Sequence, residues 1–96
     1  MLLSISKIDN LGAGKYLLTF NNGKSGTVDC TVLGNEEPAG VFNVLKQADF
    51  ASKASLEHGT LTWPGELDVA PEYLYFLAFK AESDLQETFM AWGYRK

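Results

Sequence analysis

The sequence predicts a small single α+β domain: two antiparallel β-hairpins plus an N-terminal strand, with two to three short helices. Three observations lead there. Leu3-Ser4-Ile5-Ser6-Lys7-Ile8 mixes apolar and polar residues at the period of a strand with one buried face. Asn22-Gly23 and His58-Gly59 each separate two runs of β-forming residues. Pro71 then opens a segment, Tyr73 to Phe79, that is apolar at nearly every position.

Each element has its own justification. Asn10-Leu11-Gly12-Ala13-Gly14 reads as loop, because Gly and Asn break regular structure. Tyr16-Leu17-Leu18-Thr19-Phe20 is a second strand, rich in bulky β-formers. Asn21-Asn22-Gly23-Lys24 is a hairpin turn, since Asn-Gly tolerates the positive φ angles such turns need. Gly26 to Cys30 returns, with Val28 and Cys30 on one face and Thr27 and Asp29 on the other. Gly34 to Gly40 is polar, carries Glu36 and Glu37, is broken by Pro38, and reads as a surface loop. Val41, Val44, Leu45 and Ala48 fall at helical spacing and predict a short helix ending before Phe50.

Lys53 to Glu57 and Thr60 to Trp63 form the second hairpin, followed by a Pro64-Gly65 turn and a polar linker with Asp68. Pro71 suits the first turn of a helix, where its missing N–H costs nothing, and Glu72 sits near the positive end of the helix dipole. A helix that is apolar on almost every side must be sandwiched in the core or offer a face to another chain. In the tail, Ser83 and Gln86 stand at capping-box spacing, and Leu85, Phe89 and Trp92 recur at i, i+4, i+7.

The chain has 96 residues, enough for one domain, read as a core over residues 1–79 and a helical tail over 80–96. With 46% hydrophobic and 21% charged residues it has the composition of a folded domain. The net charge is −4 and the eight Lys and Arg residues are scattered, so no basic stripe follows a phosphate backbone and direct nucleic-acid binding is not expected. A single cysteine, Cys30, excludes an internal disulfide. No signal-peptide pattern and no apolar run near the ~20 residues of a membrane span are present, so the expectation is a cytoplasmic protein with no membrane partner.

No catalytic or metal-binding motif stands out, and no cofactor is expected. His58 lacks an obvious nucleophile or orienting carboxylate and reads as a turn residue. Cys30 reads as a small buried hydrophobe rather than a nucleophile. Asp29, Asp68 and Glu72 are too dispersed for a hard-cation loop, and Asp68 reads as organising the turn before the helix. Gly23-Lys24-Ser25 shares three letters with a phosphate loop but sits in a hairpin. The real excess is aromatic: Trp63, Tyr73, Tyr75, Phe76, Phe79, Phe89 and Trp92.

The order of these segments resembles a bacterial family known as domain of unknown function 2442, typified by the N-terminal domain of a Nitrosomonas protein. The likeness is carried by the N-terminal strand, by Tyr16 to Asp29 and by Val41-Phe42-x-x-Leu45 with Phe50. Its most specific block is Gly59-Thr60-Leu61-x-Trp63-Pro64 with Leu67-Asp68 and Pro71-Glu72-x-Leu74-Tyr75. The resemblance implies a small α+β fold of hairpins and short helices, and brings no catalytic residues. It also implies two settings, fusion to a helix-turn-helix, for which the tail after Lys80 is too short, or one half of a two-gene unit of toxin–antitoxin type.

The functional expectation is a non-enzymatic protein-interaction module, the antitoxin-like or regulatory half of a small gene pair, binding another small protein or itself. The expected contacts are Leu74, Phe76, Phe79, Phe89 and Trp92. The alternative is a small acidic inhibitor, of the kind phages carry, that blocks a nucleic-acid-processing enzyme. Its charge would come from Glu36, Glu37, Glu66, Asp68, Glu72, Glu82, Asp84 and Glu87.

Overall fold

A computed structural model describes residues 2–35 and 40–94. It contains two three-stranded antiparallel sheets and short helices, an α+β domain. The first sheet is a meander of β1 (Ile5–Gly12), β2 (Lys15–Phe20) and β3 (Ser25–Asp29). The second joins β4 (Ser55–Glu57), β5 (Thr60–Trp63) and β6 (Leu67–Asp68). The helices are α1 (Ala48–Ala51), α2 (Pro71–Phe79) and α3 (Gln86–Ala91).

The N-terminal strand is longer than the sequence suggests. Asn10, Leu11 and Gly12, expected in a loop, belong to β1 and pair along β2. Two extra residues interrupt the register, Ser6 between the pairs Ile5–Phe20 and Lys7–Thr19, and Leu11 between Asn10–Tyr16 and Gly12–Lys15. The bulge at Ser6 explains how Ile5 and Ile8, an odd number of residues apart, both pack on the core. In β2 alternation is regular: Tyr16, Leu18 and Phe20 are buried.

The turns form where the sequence places them. Asn22 Oδ1 accepts the Lys24 N–H at 3.1 Å across the β2–β3 turn. His58 and Gly59 have φ of 53° and 78°, the paired positive values of a two-residue hairpin turn that matches strand twist. Beyond Pro64-Gly65, the expected linker is the short strand β6, with Leu67 opposite Trp63 and Asp68 opposite Thr62.

Other local expectations give way to tertiary context. The expected helix over residues 41–48 is a 3₁₀ segment, Gly40–Lys46, followed by the single turn α1, because Gln47 is extended (φ −84°, ψ 114°) and breaks the run; α1 also continues past the expected end, through Phe50. Cys30–Asn35 is likewise 3₁₀, so Gly34 and Asn35 are not loop, and Gly34 is buried. Glu36, Glu37 and Pro38 of the expected surface loop lie outside the described residues.

One core joins the layers. Ile5, Leu18, Phe20 and Val28 from the first sheet meet Leu61, Trp63, Leu74 and Phe79. Helix α2 lies directly on β3 at Gly26, where an added Cβ would stand 2.8 Å from the Phe79 ring and 3.0 Å from Ala78. Only glycine lets the helix approach this closely. A second tie is polar. The Ala51 carbonyl accepts from Tyr16 Oη at 2.8 Å and from Trp63 Nε1 at 2.9 Å, and Tyr16 Oη accepts the Ala54 N–H at 3.0 Å. This buried knot joins β2, the end of α1 and β5.

Candidate functional site

The aromatic excess converges on the C-terminal helices. Pro71 is the first residue of α2, but its N-cap, Ala70, provides no side-chain cap, and Asp68 lies in β6 rather than capping the helix. One face of α2 packs on the first sheet: the Phe20 ring meets Tyr75 edge-on at 5.0 Å and Phe79 at 5.9 Å. The tail covers an adjoining face, with Tyr75 between the two. Phe89 meets Phe76 at 5.1 Å and Tyr75 at 6.3 Å, both in the edge-to-face geometry that aromatic quadrupoles favour.

Polar contacts hold the tail in place. Ser83 and Gln86 do not form the expected capping box. Gln86 Nε2 instead donates to the Lys80 and Glu82 carbonyls at 3.0 and 2.6 Å, satisfying acceptors near the end of α2. Lys24 Nζ reaches Glu82 at 2.7 Å and lies 4.8 Å from the centre of the Phe79 ring, linking the β2–β3 turn to the start of the tail. The Glu82 carboxylate raises the Lys24 pKa by its hydrogen bond. At the far end, Gly93 is left-handed (φ 86°), the Tyr94 N–H donates to the Phe89 carbonyl and the Gly93 N–H to that of Met90. This is a Schellman stop, and it turns Tyr94 back onto α2. The Tyr94 ring then sits 5.3 Å from both Tyr73 and Phe76. Burial raises the Tyr94 pKa, with Glu72 adding to it.

The five expected contact residues therefore divide. Leu74, Phe79 and Phe89 are buried in the chain's own core. Phe76 is half-buried. Trp92 is 39% exposed, against the rings of Tyr75, Phe89 and Tyr94. Tyr94 completes the layer, and its signal in the sequence is the helix-stopping Gly93 before it. Around α3, at about 100° per residue, Met90 and Trp92 flank Phe89 on opposite sides. Met90 is 54% exposed, so the aromatic surface runs from Trp92 through Tyr94 to Tyr73 and Phe76, with Met90 on the other flank.

The remaining candidates do not assemble into a reactive site. His58 is exposed at its turn. Cys30 is buried, and burial first, then Asp29, pushes its thiol up to about 12. Asp29 is taken up locally, accepting from the Thr31 N–H and hydroxyl at 3.0 and 2.6 Å. Among the described residues no group of three or more His, Cys, Asp or Glu is placed to hold a metal ion. A shallow cleft of about 270 Å³ runs over β4 and β5, lined by Lys53, Ser55, Glu57, Thr62 and the Pro64-Gly65-Glu66 turn. Of the acidic residues, Glu66, Asp68, Asp84 and Glu87 are exposed, Glu82 pairs with Lys24, and Glu36 and Glu37 lie outside the described residues.

A family model described as a protein of unknown function, DUF2442, matches residues 5–80. The chain belongs to this family. The match takes in both sheets and all of α2, and it ends one residue beyond Phe79, so α3 and its aromatic contacts lie outside the matched segment. No curated protein and no solved structure matches the chain. No helix among the described residues is long and apolar enough to cross a membrane.

Proposed function

We propose that this DUF2442 domain is a non-enzymatic protein-interaction module whose contact surface is the aromatic layer of Tyr73, Phe76, Trp92 and Tyr94. One observation carries the reading: Trp92 remains 39% exposed while its ring is braced by Tyr75, Phe89 and Tyr94. A tryptophan and tyrosines held rigidly with one side open are the side chains that most often dominate protein interfaces, because they bury much area at small entropic cost. The partner is another small protein or a second copy. The antitoxin-like or regulatory role, in the cytoplasm, belongs to the same proposal and rests on the two-gene setting that the family resemblance implies.

The test is solution mass by light scattering, alone and with the product of the adjacent gene, for the natural chain and for Trp92→Gln. A complex that weakens at least tenfold in Trp92→Gln supports the surface, and a complex untouched by the change rejects it. Added salt separates the acidic-inhibitor alternative, since binding through surface carboxylates collapses as ionic strength rises and an apolar contact does not.

A further inference from the structure

We infer that the tail-facing side of α2 is a helix-docking site that α3 occupies in cis, and that a second copy of this chain fills it in trans by exchanging tails. This rests on the interaction-module reading and names its partner and its mode. The occupant is already visible, since α3 seats a fully buried Phe89 against Tyr75 and Phe76. An identical α3 from another copy makes the same contacts, so the aromatic energetics of the closed chain and the exchanged pair are matched.

Three further observations point to exchange. The family match ends at residue 80, so it takes in α2 but not the helix that covers it. From Glu72 to Trp92 there is neither glycine nor proline, so no residue type enforces the reversal between α2 and α3. The link is helical at Lys80 (φ −59°, ψ −19°) and extended at Glu82 (φ −79°, ψ 123°), and a rotation near Glu82 is enough to swing the tail away. The polar contacts at the reversal include Lys24 with Glu82, Gln86 with the Lys80 and Glu82 carbonyls, and the Glu82 N–H donating to the Phe79 carbonyl at 2.9 Å. The Lys24–Glu82 ion pair is partly exposed, and a pair of that kind is weak and salt-sensitive. Reciprocal exchange closes with two-fold symmetry, each tail covering the other α2.

The experiment removes the hinge from the full chain. Deleting Lys80, Ala81, Glu82, Ser83 and Asp84 leaves both helices joined by Leu85 alone, shorter than the roughly 2–5 residues over which an antiparallel helix pair reverses. The expected result is a doubled solution mass with a native near-ultraviolet spectrum, returned to a single mass by adding Phe89→Ala and unaffected by Met90→Gln. A folded monomer, or a dimer indifferent to Phe89→Ala, overturns the inference. If the shortened chain does not fold, the natural chain is mixed with a size-tagged copy at millimolar concentration and warmed below its melting point. Mixed dimers lost in Phe89→Ala support exchange, and their absence overturns it. A monomer here alongside a Trp92-dependent complex with the neighbouring gene product would reject exchange and leave the interaction surface standing.

Discussion

The knot around the Ala51 carbonyl and the aromatic layer around Phe89 are both buried, yet they hold the molecule together differently. The knot is directional: Tyr16 and Trp63 both donate to one oxygen, and the Ala54 N–H donates back to Tyr16. Each partner is specified, and a lost bond leaves a buried polar group unsatisfied. The layer is a set of ring contacts between α2 and the tail, from 5.1 Å for Phe76–Phe89 to 6.3 Å for Tyr75–Phe89. Rings tolerate exchange of one apolar neighbour for another. The knot therefore ties the sheets together, while the layer is the place where the domain meets its own tail.

The sharpest test of this contrast is Phe89→Ala. Truncating a fully buried phenylalanine costs about 3–5 kcal/mol, but here the loss is expected to be local. The tail detaches and the two sheets stay folded. Hydrogen exchange should quicken over residues 81–94 and stay slow in β2 and β5; acceleration throughout would place the layer inside the same cooperative unit as the knot.

Tyr16→Phe should be smaller in magnitude and wider in reach. It removes one donor to the Ala51 carbonyl and strips the Ala54 N–H of its acceptor, at a cost of about 1–3 kcal/mol. Urea unfolding should remain a single transition with a lower midpoint, and exchange should rise in both sheets. An effect confined to the tail would reverse the assignment of roles.

Cys30→Ala probes the knot side of the core through pH. The unfolded thiol ionises near its ordinary 9.0, whereas in the fold it is pushed up to about 12. The buried neutral thiol therefore contributes fully below pH 9, and that contribution is lost as pH rises from 9 to about 12. Cys30→Ala should show a flatter decline in stability over this window. Native Cys30 should also resist thiol reagents at pH 8 until the protein unfolds, and rapid labelling of the folded chain would contradict its burial.

Much of the fold was legible because it is written in local chemistry. Asn22-Gly23, His58-Gly59, Pro64-Gly65 and Pro71 each act through backbone sterics within a few residues. The alternation of Tyr16, Leu18 and Phe20 marks the buried face of β2 without reference to anything distant. The bulges at Ser6 and Leu11 were not legible, since an extra residue shows only against a partner strand. Nor was the two-residue strand β6, which exists because β5 supplies its bonds. Of the candidate surface, the sequence indicated the aromatic residues and their place in the chain, including Trp92. It did not indicate that Leu74, Phe79 and Phe89 would be taken into the core.

By itself, then, the sequence determined the fold class, the order of most elements, the turns and the family, because these follow from short-range sterics, periodicity and residue order. Only the tertiary structure decided which aromatic rings face inward, how α2 comes to rest on Gly26, and where the Tyr16 and Trp63 donors find their acceptor. Those outcomes join residues far apart in the chain, 35 positions apart for Tyr16 and Ala51. An apolar side chain carries the same transfer free energy whether its own chain or another covers it, so periodicity alone cannot say which one does.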